Sequence, residues 1–303
     1  MSDGPDGAGQ DVGRLLAGVF ADHQVVDLSV PLAEQLPCTW PGHMPFRATV
    51  SSWFADRPAD PQPVHAGSAS HYQTRWLVMD EHAGTHLDAP RHFIPPVWSG
   101  LPNAGVAGDI GVDQLPLLAA AGPADVIDVS DISAEEQTPA GVSPRVTPRH
   151  LERWEAEHGP VAAGDVALLH SGWDRHYQEG SAGRRYGTDV LVDAVAPGWP
   201  APTPKAIDWL LDRGVRCVGT DGLSIGAADD GEAAHLAALP HGMAVVEALA
   251  GLDQLPPRGA WFLFLPIRLV GGTGGPGRAL AVLPGGGLPG ASGGYGTSGE
   301  GRA

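Results

Sequence analysis

At 303 residues the chain is long enough for one large domain or two smaller ones. A formal net charge of −17 argues against an electrostatic binder of nucleic acid or anionic membrane, and no apolar run approaches the ~20 residues of a spanning helix. A small-molecule partner is expected instead. Cys38 and Cys217 are the only cysteines, far apart and without C-x-x-C spacing. Neither a disulfide scaffold nor a thiolate zinc site follows, and a reducing cytoplasm is the default compartment.

The first ten residues lack a basic region followed by an apolar run, so no secretory signal is expected, and residues 1–13 read as a flexible start. A short helix is predicted near Leu15–Phe20 and a strand over Val25–Val30. Leu36–His43 is broken by Pro and Gly and reads as a loop, with Trp40 either packed on the core or facing a ligand. Thr74–Met79 is predicted as a strand leading directly into the histidine cluster described below. Val126–Ser130 is a further strand. Thr147-Pro148 opens a helix through His158 that Gly159 ends, and Val166–His170 follows as a strand. The same grammar recurs: Thr203-Pro204 opens a helix through Asp212, Gly214 ends it, and Val215–Gly219 is a strand. Met243–Glu247, Trp261–Leu265 and Arg278–Leu283 complete the predicted strands, the first two read as buried. Beyond Pro284 the chain is rich in Gly and Ser, and 285–303 is expected to be disordered. Strands outnumber helices, which makes the fold mixed α/β.

Within this order one stretch concentrates chemistry. His82-Ala-Gly-Thr-His86-Leu-Asp88-Ala-Pro90-Arg-His92 places three imidazoles and a carboxylate within eleven residues, all four at even positions. An extended chain would turn them to one side, yet it would hold His82 and His86 roughly 13 Å apart at ~3.3 Å per residue. The chain must bend to bring them to one ion, and Gly84 is the residue able to do it. His and Asp without Cys suit a catalytic divalent ion such as zinc or manganese. Such an ion lowers the pKa of bound water towards ~7 and polarises a carbonyl, so metal-assisted hydrolysis is the expected chemistry. His92, set apart by Pro90, is the candidate acid/base.

The same run resembles the H-x-G-T-H-x-D-x-P-x-H signature of the cyclase family, metal-dependent hydrolases that include bacterial kynurenine formamidase and isatin hydrolase. The resemblance extends to Thr39–Gly42, Ser171–Asp174, Gly219–Ser224, His235, Glu247 and Leu265–Ile267, spanning roughly residues 25–283. It implies a β-rich single domain of the swivelling β/β/α type over residues 14–284. It further implies that His82, His86 and Asp88 bind one ion, with Asp88 bridging to a second held by His235 and Glu247. His92 would be the general acid/base, Trp40 would line the substrate pocket, and the protein would be a homodimer. From the residues alone, His235 in an Ala/Leu-rich stretch reads as a core histidine. Glu247 inside an apolar strand is a buried acid, costly unless paired or metal-bound.

Two departures bear on substrate. Kynurenine formamidases commonly carry Asp after Trp-Pro-Gly, where this chain has His43, and the extra length at Pro58–Gly67 and Pro95–Gly108 offers room for new pocket walls. The expected reaction is hydrolysis of a C–N bond in a linear or cyclic amide. Lactone or ester hydrolysis and ring closure on the same site are the alternatives, and a non-catalytic metal-binding protein is the alternative of another class. Gly222-Leu-Ser224-Ile-Gly226 fits the nucleophile-elbow pattern of serine hydrolases, but only His235 and His241 follow it in the chain and no helix clearly starts there. Ser224 is instead expected to face the substrate as a hydrogen-bond donor. Gly271–Gly275 lacks the Lys of a P-loop and reads as a flexible turn.

Overall fold

The described strands form one closed wall, one small three-stranded sheet and one two-stranded pair. A computed structural model describes residues 11–54, 69–70, 72–132 and 138–285. The expectations for residues 1–10, for Pro58–Gly67 and for 286–303 fall outside the described residues. In chain order the strands are β1 Gln24–Asp27, β2 Arg47–Phe54, β3 Ala69–Ser70, β4 Thr74–Val78, β5 His86–Asp88, β6 Ala121–Asp128 and β7 Arg145–Val146. They continue as β8 Val166–His170, β9 Ala201–Pro202, β10 Cys217–Thr220, β11 Ala244–Glu247, β12 Ala260–Pro266 and β13 Gly274–Leu283. The main helices are α1 Val12–Asp22, α2 Pro148–His158, α3 Pro204–Asp212 and α4 Ala233–Ala238.

The large sheet runs β1-β13-β12-β6-β8-β10-β11-β5, and β5 pairs again with β13, so the sheet closes on itself with β1 outside the ring. Strands β6, β8, β10 and β11 are parallel neighbours, as crossovers through the α2, α3 and α4 regions require. The remaining pairs of this sheet are antiparallel. Side chains inside the ring, among them Leu87, Leu168, Val246, Phe262 and Ala281, form one core. Their neighbours on the outer face, Ile127, Leu169, Val218 and Val245, form a second core with Leu151 and Trp154 of α2 and Ile207 and Leu210 of α3. Each parallel strand is therefore covered on both faces, which is why it reads as an unbroken apolar run.

The Thr-Pro helices have the boundaries their caps dictate. Thr203 Oγ1 accepts from Ala206 N at 3.2 Å, and the Thr147 N–H donates to His150 Nδ1 at 2.9 Å. Three strand expectations change. Thr74–Val78 is a strand, but it belongs with β2 and β3 to the separate small sheet, and a turn over 80–85 separates it from the histidines. The predicted Arg278–Leu283 strand starts at Gly274, because the glycine-rich run pairs with β5. Strand β12 is apolar throughout yet alternates in burial, with Trp261 and Leu265 turned outward. Strand β2 carried no prediction. Cys38 and Cys217 are buried free thiols.

Candidate metal centre and its cavity

The site is built where β5 closes the ring. His86 lies opposite Glu247 of β11 in register, and Asp88 opposite Val245, so period-two alternation turns His86, Asp88 and Glu247 to the outer face while Leu87 enters the inner core. From the helix layer, α4 presents His235 to the same point. Its Nε2 stands 3.1 Å from Glu247 Oε1 and 3.3 Å from Asp88 Oδ2. His82 arrives from the preceding turn, where Gly84 takes a left-handed φ of 61°. That bend brings the His82 and His86 rings to 5.0 Å between centroids, as the sequence argument required. Thr85 anchors the turn: its hydroxyl donates to Ala248 O at 2.6 Å and accepts from Val30 N at 2.9 Å.

Ring nitrogens are assigned by what they meet. His86 Nδ1 donates to Gly84 O at 2.8 Å and His235 Nδ1 to Gly231 O at 2.7 Å, and a carbonyl can only accept. Both Nε2 atoms therefore face the carboxylates as potential ligands. His82 Nε2 meets Thr273 Oγ1 at 3.0 Å, and that hydroxyl donates to Glu81 Oε2 at 3.1 Å. Thr273 is thus an acceptor for His82, which leaves Nδ1 turned to Asp88 Oδ1 at 2.8 Å. Gly274 makes room for the ring, since a Cβ there would lie 2.5 Å from His82 Cε1.

Two triads have ligand atoms close enough to share an ion: His82, His86 and Asp88, and Asp88, His235 and Glu247. Two buried atoms at their centre, His86 Nε2 and Asp88 Oδ2, have no hydrogen-bond partner among the described residues. His86 Nε2 lies 3.4 Å from Asp88 Oδ1 and 3.5 Å from Glu247 Oε2 without a well-formed bond to either. Burial works against a charged His86, but Asp88 and Glu247 more than reverse it and push its pKa up to about 9. His235, also opposed by burial, is pushed up to about 10 by the same two carboxylates. Burial works against a charged Asp88 as well, yet the imidazoles of His235, His82 and His86 hold its carboxyl well below the usual range. The cluster thus demands positive charge at its centre, and two orphaned ligand atoms with an all-N/O donor set fit a divalent cation.

A cavity of about 270 Å³ opens onto these groups. His92, at the end of the 3₁₀ turn that Pro90 starts, stacks on His82 at 3.9 Å between centroids. Burial brings the His92 pKa down to about 4, with Asp88 pulling the other way. Trp40, Phe93 and Leu223 supply apolar wall. Trp40 also packs edge-on against the buried Trp199 at 6.2 Å, so it serves both core and cavity. Ser224 lines the cavity, but its proton goes to Glu247 Oε1 at 2.9 Å, and its oxygen accepts from Gly226 N. With Ile225 N also donating to Glu247 Oε1 at 2.8 Å, Ser224 holds Glu247 rather than standing free for a ligand, and among the described residues it has no histidine partner as a nucleophile elbow requires. No residue of 95–108 lines this cavity, so that segment does not supply the expected pocket wall.

A family model described as "Putative cyclase" matches residues 26–227. The chain belongs to the cyclase family. It is 33% identical over 214 residues to an isatin hydrolase of Roseibium aggregatum, covering 69% of this chain and 74% of that one. It is 31% identical over 242 residues to a kynurenine formamidase of Salinibacter ruber, covering 80% and 89%. Among solved structures it is similar to an isatin hydrolase bound to the product analogue thioisatinate, with a TM-score of 0.72, 26% identity and 94% and 100% coverage. It is also similar to isatin hydrolase A from Labrenzia aggregata bound to benzyl benzoate, with a TM-score of 0.66, 28% identity and 91% and 98% coverage.

In this cyclase-family chain, segments whose sequence resemblance had no stated role now have one. Asp221 accepts from Ser171 N and Gly172 N and from the Ser171 hydroxyl, and Asp174 accepts from Gly251 N at 2.8 Å. These bonds tie together the loops that follow β8, β10 and β11. Phe93, stacked on His235 at 4.1 Å, and Thr273 went unnoticed in the sequence because nothing in their local pattern marks them.

Proposed function

We propose that this chain is a metal-dependent amidohydrolase that cleaves the C–N bond of a small aryl amide, whether a cyclic lactam or an aryl formamide. One observation carries the reading: two ligand triads sharing the buried Asp88 open onto an aromatic-walled cavity that also holds the imidazole of His92, a member of neither triad. The isatin hydrolase and kynurenine formamidase relatives support it. When bound, zinc or manganese would supply a Lewis acid for the carbonyl and lower the pKa of water towards ~7.

The chain's own residues do the rest. Asp88 and Glu247 bring the negative charge that retains a cation, and Gly84 O and Gly231 O fix the tautomers of His86 and His235. Trp40, Phe93 and Leu223 hold an aromatic ring and exclude water. A ring nitrogen of His92 takes the proton released as water adds to the carbonyl and returns it to the departing nitrogen. No lysine or arginine lines the cavity among the described residues, which favours an uncharged ring system over a zwitterionic amino-acid substrate.

Metal-loaded protein assayed on isatin, N-formylkynurenine and simple aryl lactones tests the proposal. The expected result is either a ring-opened amino acid heavier than isatin by one water or the free arylamine and formate from N-formylkynurenine. Turnover confined to lactones, or none at all with near-stoichiometric metal bound, sinks it.

A further inference from the structure

At the mouth of the cavity stands a histidine–carboxylate pair that the catalytic groups do not use. His43 is exposed, yet its ring borders the same cavity as His92 and Trp40. Its Nδ1 meets Asp80 Oδ2 at 3.0 Å, and the other Asp80 oxygen accepts from His82 N at 2.9 Å. Asp80 therefore couples the orientation of His43 to the turn that carries the first histidine of the cluster. A carboxylate only accepts, so Nδ1 of His43 carries the hydrogen. In the neutral ring Nε2 is then a lone-pair acceptor, and among the described residues nothing bonds to it.

From this geometry we infer that His43 is a specificity-determining residue that accepts a hydrogen bond from an N–H of the substrate. The inference rests on the amidohydrolase reading and sharpens it. Of the other polar groups around the cavity, Ser224 is committed to Glu247 and the His86 and His235 Nδ1 atoms to backbone carbonyls, while the His86 and His235 Nε2 atoms face the carboxylates as ligands and His92 is reserved for proton transfer. An amide that keeps a hydrogen on nitrogen meets an acceptor at His43. A lactone, an ester or an N-alkylated amide leaves that acceptor unpaired, which is how a polar site rejects an otherwise similar ligand.

The test is equilibrium binding of oxindole and N-methyloxindole to metal-loaded wild-type, His43→Phe and His43→Gln proteins, alongside turnover of isatin. The wild type should prefer oxindole by about tenfold, the span of one good hydrogen bond. That preference should vanish in His43→Phe and return in part in His43→Gln, whose amide oxygen still accepts, with bound metal unchanged in all three. A preference that survives in His43→Phe overturns the inference. So does a wild type that binds both compounds equally, as a cationic His43 addressing the shared carbonyl would make it, or one that binds neither. The two readings separate cleanly: turnover of isatin without a binding preference removes the role of His43 alone, and a binding preference without turnover of any amide removes the amidohydrolase reading alone.

Discussion

Asp88 and Asp125 are both buried on strands of the same sheet, and their surroundings drive them in opposite directions. Around Asp88 three imidazoles outweigh burial and keep the carboxyl ionised. Asp125 has burial and the neighbouring Asp165 acting together, which raises its pKa to about 7. Its cation, Arg258, stands 3.4 Å away and spends part of its guanidinium on the carbonyls of Gly159 and Pro160. The difference shows what a ligand site needs beyond buried acids. The acids must meet imidazoles whose second nitrogen is already taken, so that the remaining lone pairs converge; a carboxyl that meets another carboxylate and a cation divided among other acceptors holds a proton instead.

Removing the shared carboxylate breaks the comparison most severely. Asp88→Asn should reduce bound metal to trace levels by elemental analysis and lower kcat/KM by more than about 10³-fold, because both triads lose a member. His92→Ala should leave the metal in place while kcat falls by about 10²- to 10⁴-fold. Wild-type turnover in that variant would remove His92 from the proton transfer. Thr273→Val takes away the acceptor that fixes His82 without touching a ligand, and metal affinity measured by chelator competition should drop about 10- to 100-fold.

The smallest effect belongs to the other aspartate. A folded-state pKa raised above the unfolded value near 3.9 makes the neutral carboxyl the stabilising form. The stability tied to Asp125 is therefore complete at low pH and is lost as pH rises through about 7. Asp125→Asn mimics the protonated acid. Its melting temperature should exceed that of the wild type at pH 8 and converge on it towards pH 4, so parallel Tm curves across that interval would contradict the assignment.

Much of the centre was legible because the bend at Gly84 and the even spacing of His82, His86, Asp88 and His92 are local properties, and local geometry is what a sequence states directly. The Thr-Pro helices were legible for the same reason. Glu247 stood out as an expensive acid in an apolar strand, but its partner His235 looked like any core histidine of an Ala/Leu helix until the family resemblance singled it out. Thr273, His43 and Phe93 act across pairings and turns that leave no periodic mark. The run Gly271–Gly275, read as a flexible turn, in fact ends in paired strand that shoulders the His82 ring.

Strand β5 is only three residues long, yet it is the staple that joins β11 to β13 and makes the sheet a ring. Both of its partners come from the far end of the chain, so this pairing carries a large loop-closure cost and belongs late in the folding sequence. During synthesis His82, His86 and Asp88 are made early and remain an incomplete set of ligands until β11, α4 and β13 have emerged and docked. An unfinished or misrouted chain thus has no complete centre, and recovery of a tightly held ion during refolding times the closure of the ring itself.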